Sequence, residues 1–177
     1  MQTSDKNLAT FFHIGGLSGE KEEFVCARLL PLLDPHLVEI TEKFYDLLLS
    51  DDQTAPYLEG RIESLKATHV NWIREMLSGV YDEAFMRRQE IIGEVHVKMR
   101  VPPHFVSSSM SHLRSAIPGL IGIVENDPKV IALGTKQVLQ VLDLCQYLID
   151  RKYNETLMEN LGIKPVLLER LQTLKRS

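Results

Sequence analysis

Ile91-Ile92-Gly93-Glu94-Val95-His96-Val97-Lys98-Met99-Arg100-Val101-Pro102-Pro103-His104-Phe105 is the stretch on which the reading of this chain turns. It carries an apolar helix up to a histidine and then forbids that helix to continue. Positions 88, 91 or 92, 95 and 99 are largely apolar at helical spacing, Arg88 apart, which puts His96 at the border of a buried stripe near a helix C-terminus. Pro102 and Pro103 enforce a corner, because the residue before a proline is pushed out of the α region and proline is well placed at the start of the next helix. A histidine at a rigid corner among apolar neighbours suits the proximal position of a haem iron. A hydrogen-bonded core histidine is the commoner explanation of such a residue, and this stretch alone does not exclude it.

At 177 residues the chain suits one domain, long enough to bury a core without disulfides or structural metals. Hydrophobic residues at 44% and charged residues at 25% are ordinary globular values, and a net charge of −4 gives no reason to expect nucleic acid or an anionic membrane as partner. No apolar run approaches the roughly eighteen residues of a membrane span, and no signal-peptide pattern is present, so the cytoplasm is expected. Cys26 and Cys145 both fall among apolar residues and are expected to be reduced core thiols. The chain has no Cys-x-x-Cys-His, which excludes covalent haem attachment through that signature, no His-Glu-x-x-His of a zinc hydrolase, and no glycine-rich phosphate loop.

Outward from His96, the periodicity is helical throughout, with no alternating strand pattern or repeat, and the fold class is all-α. Residues 1–17, with Phe11, Phe12 and Ile14 before Gly15-Gly16, form an N-terminal arm with a short helix. Ser18 can cap a helix from about Gly19 to Leu33, with Glu20, Glu22 and Glu23 in its first turn, and Pro31 should end or bend it. Asp34-Pro35 is a second start signal, opening a helix with Leu37, Ile40, Phe44, Leu47 and Leu48 on one face and Tyr45 at its edge. A polar loop from Ser50 to Glu59 precedes a helix over about 61–78, with Ile62, Leu65, His69, Trp72, Ile73 and Met76 as its buried stripe. Gly79 ends it and Asp82 caps the helix that leads through Phe85, Ile92 and Val95 to His96. After the prolines a helix runs through Val106, Met110, Leu113, Ile117 and Val124, with Pro118 as a possible kink, and Asn126-Asp127-Pro128 starts another. From Pro128 to about Leu161 the apolar residues cover more than one face, so either a second subunit or the domain itself covers the excess. Gly162 should close this helix, and Pro165 opens a short amphipathic tail with Val166, Leu167, Leu168, Leu171 and Leu174.

His69 and His96 thus lie on the apolar stripes of consecutive helices, which can flank a flat ligand from opposite sides. Neutral imidazole is a good iron ligand, and a buried histidine otherwise carries a desolvation cost. Tyr45 adds a polar group whose hydroxyl either donates to a bound ligand or caps a backbone carbonyl. His104, His112, His13 and His36 are read as solvated or structural.

Phe44-Tyr45, the Leu65 to Trp72 stripe, and above all Val95-His96 followed by Val101-Pro102-Pro103 resemble the globins of bacterial globin-coupled sensors, over about residues 20–155. The resemblance implies a globin fold, a three-over-three helical sandwich around haem, here with an extra N-terminal segment and a long final helix. It implies that His96 is the proximal ligand of a non-covalent haem b, that Tyr45 is the distal tyrosine, and that Leu65 and His69 face the iron. Phe44, Trp72, Ile92, Val95, Val101 and Phe105 are expected to complete the haem cavity. The family commonly has a non-ligating residue where His69 stands, and a histidine so placed is expected to bind the iron and give a six-coordinate resting haem. Family members tend to form homodimers through their last two long helices and to pass a gas signal to an output module. The expected organisation is a sensor globin over 1–162, with 163–177 as a tail or linker stub. The rival expectations are a haem enzyme, such as a nitric oxide dioxygenase needing a separate reductase, and a haem-free helical interaction domain.

Overall fold

A computed structural model describes residues 5–17, 20–164, 166, 167 and 170. Among them the chain forms seven α-helices and no strand: α1 Lys6–Gly15, α2 Glu20–Leu33, α3 Leu37–Leu49, α4 Ile62–Met76, α5 Glu83–Lys98, α6 Pro103–Val124 and α7 Pro128–Asn160. The all-α expectation holds. The cap expected at Ser18, the acidic side chains of Glu20, Glu22 and Glu23, and the tail helix opened by Pro165 lie outside the described residues. No helix among those residues is long and apolar enough to cross a membrane.

Several starts follow the cap chemistry read from the sequence. The Asp82 carboxylate accepts from the Phe85 N–H at 2.8 Å, and Asp127 accepts from the Lys129 N–H at 2.9 Å ahead of Pro128. Asp34 does otherwise. Helix α2 continues through Pro31 to Leu33 and hands over to a 3₁₀ turn, Asp34–His36, in which Asp34 caps nothing. Its carboxylate instead accepts from Arg74 Nε of α4 at 2.6 Å, so the charge that could have capped α3 clamps α4. The inner face of α3 is also rotated from the expected one. Tyr45 and Thr41 are buried, while Leu47, placed inward by the periodicity, is 55% exposed.

The core is built around α7, which packs along α5 and α6 and also meets α2 and α4. Val138, Val141, Leu142, Leu144, Cys145, Leu148 and Ile149 are all buried within the chain. The excess apolar surface read from 130–149 is therefore covered by the domain's own helices, with Leu133 left outside, and it does not by itself call for a second subunit. The tight crossing is at Gly93 on α5: a Cβ there would stand 2.5 Å from the Ile149 carbonyl oxygen. Only glycine lets the two backbones approach so closely. This also corrects the buried face of α5. It is Phe85, Gln89 and Gly93, whereas Ile91, Val95 and Met99 are each more than two-fifths exposed.

The corner after His96 forms for the reason the prolines predict. Pro102 is extended, and the helix must stop before it. It closes with Arg100 in the left-handed region at φ 57°, the Arg100 N–H donating to the Val97 carbonyl and the Val101 N–H to that of His96 at 2.9 Å. This is the double closure of a Schellman end, with arginine where glycine is usual. The carbonyl of His96 is thereby tied into the corner.

Candidate functional site

A second, smaller apolar cluster stands apart from the main core: Phe44, Tyr45 and Leu58, with Leu48, Ile62 and Leu65 against it. Residues of this cluster, of α5 and of α6 together line a cavity of about 260 Å³. All ten residues that the sequence reading assigned to a site line it: Phe44 and Tyr45 from α3, Leu65, His69 and Trp72 from α4, Ile92, Val95 and His96 from α5, and Val101 and Phe105 at the corner. The exposure of Val95 and the half-burial of Leu65, Trp72 and Ile92 have the same cause. These apolar side chains face the cavity instead of packed protein.

The walls are held by polar contacts between helices. Glu42 of α3 pairs with Lys66 of α4, and Asp34 with Arg74 one turn and more further along. On the other wall, Trp72 Nε1 donates to Gln89 Oε1 at 2.7 Å, tying α4 to the helix that carries His96. Gln89 is fully buried, and its amide nitrogen donates to the Phe85 carbonyl at 3.3 Å.

His69 is strongly constrained. Its ring lies nearly parallel to Phe44 at 4.8 Å and to Trp72 at 5.8 Å, and edge-on to Tyr45 at 5.7 Å. Nδ1 is 3.0 Å from the Thr41 hydroxyl oxygen, and Nε2 has no hydrogen-bond partner among the described residues. Burial, helped by the nearby His112, pushes its pKa down to about 4, so the imidazole is neutral at physiological pH.

His96 makes no side-chain hydrogen bond at all among the described residues, and its Nδ1 is sealed from solvent. Burial lowers its pKa below the ordinary histidine value. A buried imidazole with no partner carries an uncompensated desolvation cost, which a bond to a ligand in the cavity would offset. Tyr45 is in the same position. Its hydroxyl has no protein partner among the described residues, which removes the alternative that it caps a backbone carbonyl, and burial raises its pKa to about 12, so it stays a donor. Arg61, at the start of α4, is the one charged side chain on the lining among the described residues, with its guanidinium on the Tyr57 carbonyl.

Three residues of this arrangement escaped the sequence reading. Thr41 and Gln89 are polar residues on apolar stripes, at four-residue spacing from Tyr45 and Phe85 respectively, and that misplacement was the available signal. Gly93 offered only a glycine inside a helical pattern, which does not say what approaches it.

Comparison with known proteins agrees with this architecture. The chain is similar in structure to the globin domain of a Geobacter sulfurreducens globin-coupled sensor, with a TM-score of 0.76 at 23% identity, covering 86% of this chain and 99% of that one. It is also similar to the ferric globin domain of E. coli DosC, with a TM-score of 0.71 at 17% identity, covering 81% of this chain and 99% of that one. At these identities the likeness speaks for the fold, which is the globin fold. The family model described as protoglobin matches residues 7–159. With that match spanning nearly all of the helical body, the chain belongs to the protoglobin family.

Proposed function

We propose that this globin domain holds haem b non-covalently in the cavity between α3, α4, α5 and α6, and senses a diatomic gas or the redox state of the iron. In this reading His96 would be the proximal ligand to the iron and His69 a second ligand in the resting state. The observation that carries it is the pair of neutral imidazoles from consecutive helices on one apolar cavity, with His96 lacking any hydrogen-bond partner and His69 Nε2 unpartnered among the described residues. Membership of a globin family supports haem as the occupant.

The donor set fits the group. The haem supplies an iron centre that takes neutral imidazole and diatomic ligands. His96, anchored by the corner at Arg100–Pro103, would hold the iron. The apolar lining of Phe44, Leu65, Trp72, Ile92, Val95, Val101 and Phe105 receives the macrocycle, and Arg61 suits its anionic edge. With haem bound, His69 would compete with a gas for the iron, so the apparent affinity would fall by the fraction of sites that are open. Tyr45, a donor without a partner, then serves the entering gas. Movement of α4 as His69 leaves reaches α5 through the Trp72–Gln89 bond.

As a sensor, the domain passes the change through a homodimer formed by α6 and α7 to an output module; Ile123 and Leu133, exposed on those helices, support that face. The domain itself is read as non-enzymatic, with 1–162 as the globin body. Sedimentation velocity checks the dimer, and nitric oxide turnover with an added reductant would assign an oxidising enzyme instead.

The test of the ligand assignment is the visible spectrum of wild type, His96→Ala and His69→Leu loaded with haem. Loss of haem or of the proximal band in His96→Ala is expected, because apolar contacts alone hold haem weakly. A low-spin spectrum in wild type that becomes five-coordinate in His69→Leu, with faster carbon monoxide rebinding, is expected for the second ligand. Identical five-coordinate spectra in wild type and His69→Leu would make His69 a wall of the cavity.

A further inference from the structure

The geometry points to Thr41 as the positioning residue that decides which nitrogen of His69 carries the proton, and hence whether that ring offers the cavity a hydrogen-bond donor or a lone pair. This rests on the reading of His69 as an alternating iron ligand and supplies the device by which it alternates.

Helical serine and threonine hydroxyls in this chain commonly donate to the carbonyl four residues back, as Thr10 does to Lys6, Thr68 to Ser64, Ser108 to His104 and Ser109 to Phe105. Thr41 does not. It is 1% exposed, and its hydroxyl has one hydrogen-bond partner among the described residues, His69 Nδ1 at 3.0 Å. A buried hydroxyl proton needs an acceptor, and Nδ1 is the one in reach. Thr41 therefore donates in the haem-free protein, and the neutral ring carries its proton on Nε2. In that state His69 faces the cavity as a second donor beside Tyr45.

For Nε2 to act as a ligand it must give up that proton while Nδ1 gains one, so the ring stays neutral and the proton count is unchanged. Nδ1–H then donates to Thr41 Oγ1. The hydroxyl proton, displaced from Nδ1, then has no acceptor among the described residues, so ligation through Nε2 carries a cost that the haem-free tautomer does not. Both states keep the Nδ1–Oγ1 hydrogen bond; they differ by its direction and by one tautomer, and Thr41 favours the tautomer that withholds Nε2 from the iron. The stacking of Phe44 and Trp72 keeps the ring plane unchanged between them.

The haem-free test is ¹⁵N NMR of the His69 ring. Wild type is expected to show the Nε2–H tautomer, and Thr41→Val to drift towards the mixture of free imidazole. Nδ1–H in wild type would overturn the proposal, as would an unchanged tautomer ratio in Thr41→Val. With haem bound, Thr41→Val removes the hydrogen bond that holds the Nε2–H tautomer, and the equilibrium for His69 ligation should rise, by up to the order of tenfold, the equivalent of one hydrogen bond. Carbon monoxide rebinding and the low-spin fraction both report it. Thr41→Ser, which keeps the hydroxyl, should restore wild-type values, and Thr41→Ala replaces the valine variant if that fails to fold. An unchanged or lowered ligation equilibrium in the variant lacking the hydroxyl overturns the proposal. If His69→Leu shows that His69 never ligates, the ligand reading fails by itself, and Thr41 is then judged on the haem-free tautomer alone.

Discussion

Gly93→Ala is the substitution that joins the fold to the site most directly. The added Cβ would stand 2.5 Å from the Ile149 carbonyl oxygen and 3.0 Å from the Tyr153 amide nitrogen. Both are backbone atoms of α7, so no side chain can swing aside, and α5 and α7 must part by most of an ångström. Overpacking of this kind costs about 1–3 kcal/mol. Alanine returns about 1 kcal/mol over glycine through helix propensity. The steric term is the larger, and the net loss is up to about 2 kcal/mol, or up to about 8 °C in Tm for a domain of this size. The lost contact lies one turn before His96, so the haem absorption bands should shift as well. Thermal unfolding of the haem-free protein, followed by circular dichroism, is the assay. Gly119→Ala is the control: nothing lies within 4 Å of its added Cβ, and it should gain up to about 1 kcal/mol. Equal or higher stability of Gly93→Ala relative to Gly119→Ala would refute the argument that backbone approach requires this glycine.

Two further outcomes are expected. Glu125 accepts two bonds from Arg28, at 2.9 Å each, and the N–H groups of Asn126 and Asp127, and the Arg28 bond foremost holds its pKa down to about 2 from 4.5. A depressed carboxylate stabilises the fold above its unfolded value and loses that contribution as pH falls through its folded one. Urea midpoints should therefore decline from pH 4.5 towards 2, and Glu125→Gln should flatten that decline; parallel curves would remove Glu125 as its source. At the corner, Arg100→Gly relieves a left-handed residue at about 1–2 kcal/mol, offset by about 0.5–1 kcal/mol of extra unfolded-state freedom, so a small rise in Tm is expected. Arg100→Val should lower it, and equal effects of the two would contradict strain at φ 57°.

Periodicity and punctuation made the helices legible in the sequence. Each is signalled locally, by Asp82 and Asp127 as caps, Gly162 as an end, and Pro102-Pro103 as a corner, because these act within one turn of chain. The cavity was legible in part for a related reason: the spacing of His69 and the corner after His96 put these two on inner faces, whereas Phe44, Leu65, Trp72, Ile92, Val95, Val101 and Phe105 were assigned to the cavity through the resemblance to sensor globins. What the sequence by itself determined was therefore the set of helices and part of the faces they turn inward; the inner faces of α3 and α5 differ from the periodicity at Leu47, Ile91, Val95 and Met99.

Only the tertiary structure decided what those inward side chains meet. The apolar faces of 130–149 look the same whether another subunit or the chain's own α5 and α6 cover them, and the packing shows the latter. Asp34 is an equally good cap or ion-pair partner until Arg74 arrives from a helix that is distant in sequence. Thr41 facing His69, Gln89 facing Trp72, and Gly93 beneath the Ile149 carbonyl are likewise pairings between helices. Local chemistry repeats within a helix and can be read along the chain. The partner across an interface depends on crossing angle and register, and these are set when all the helices pack at once.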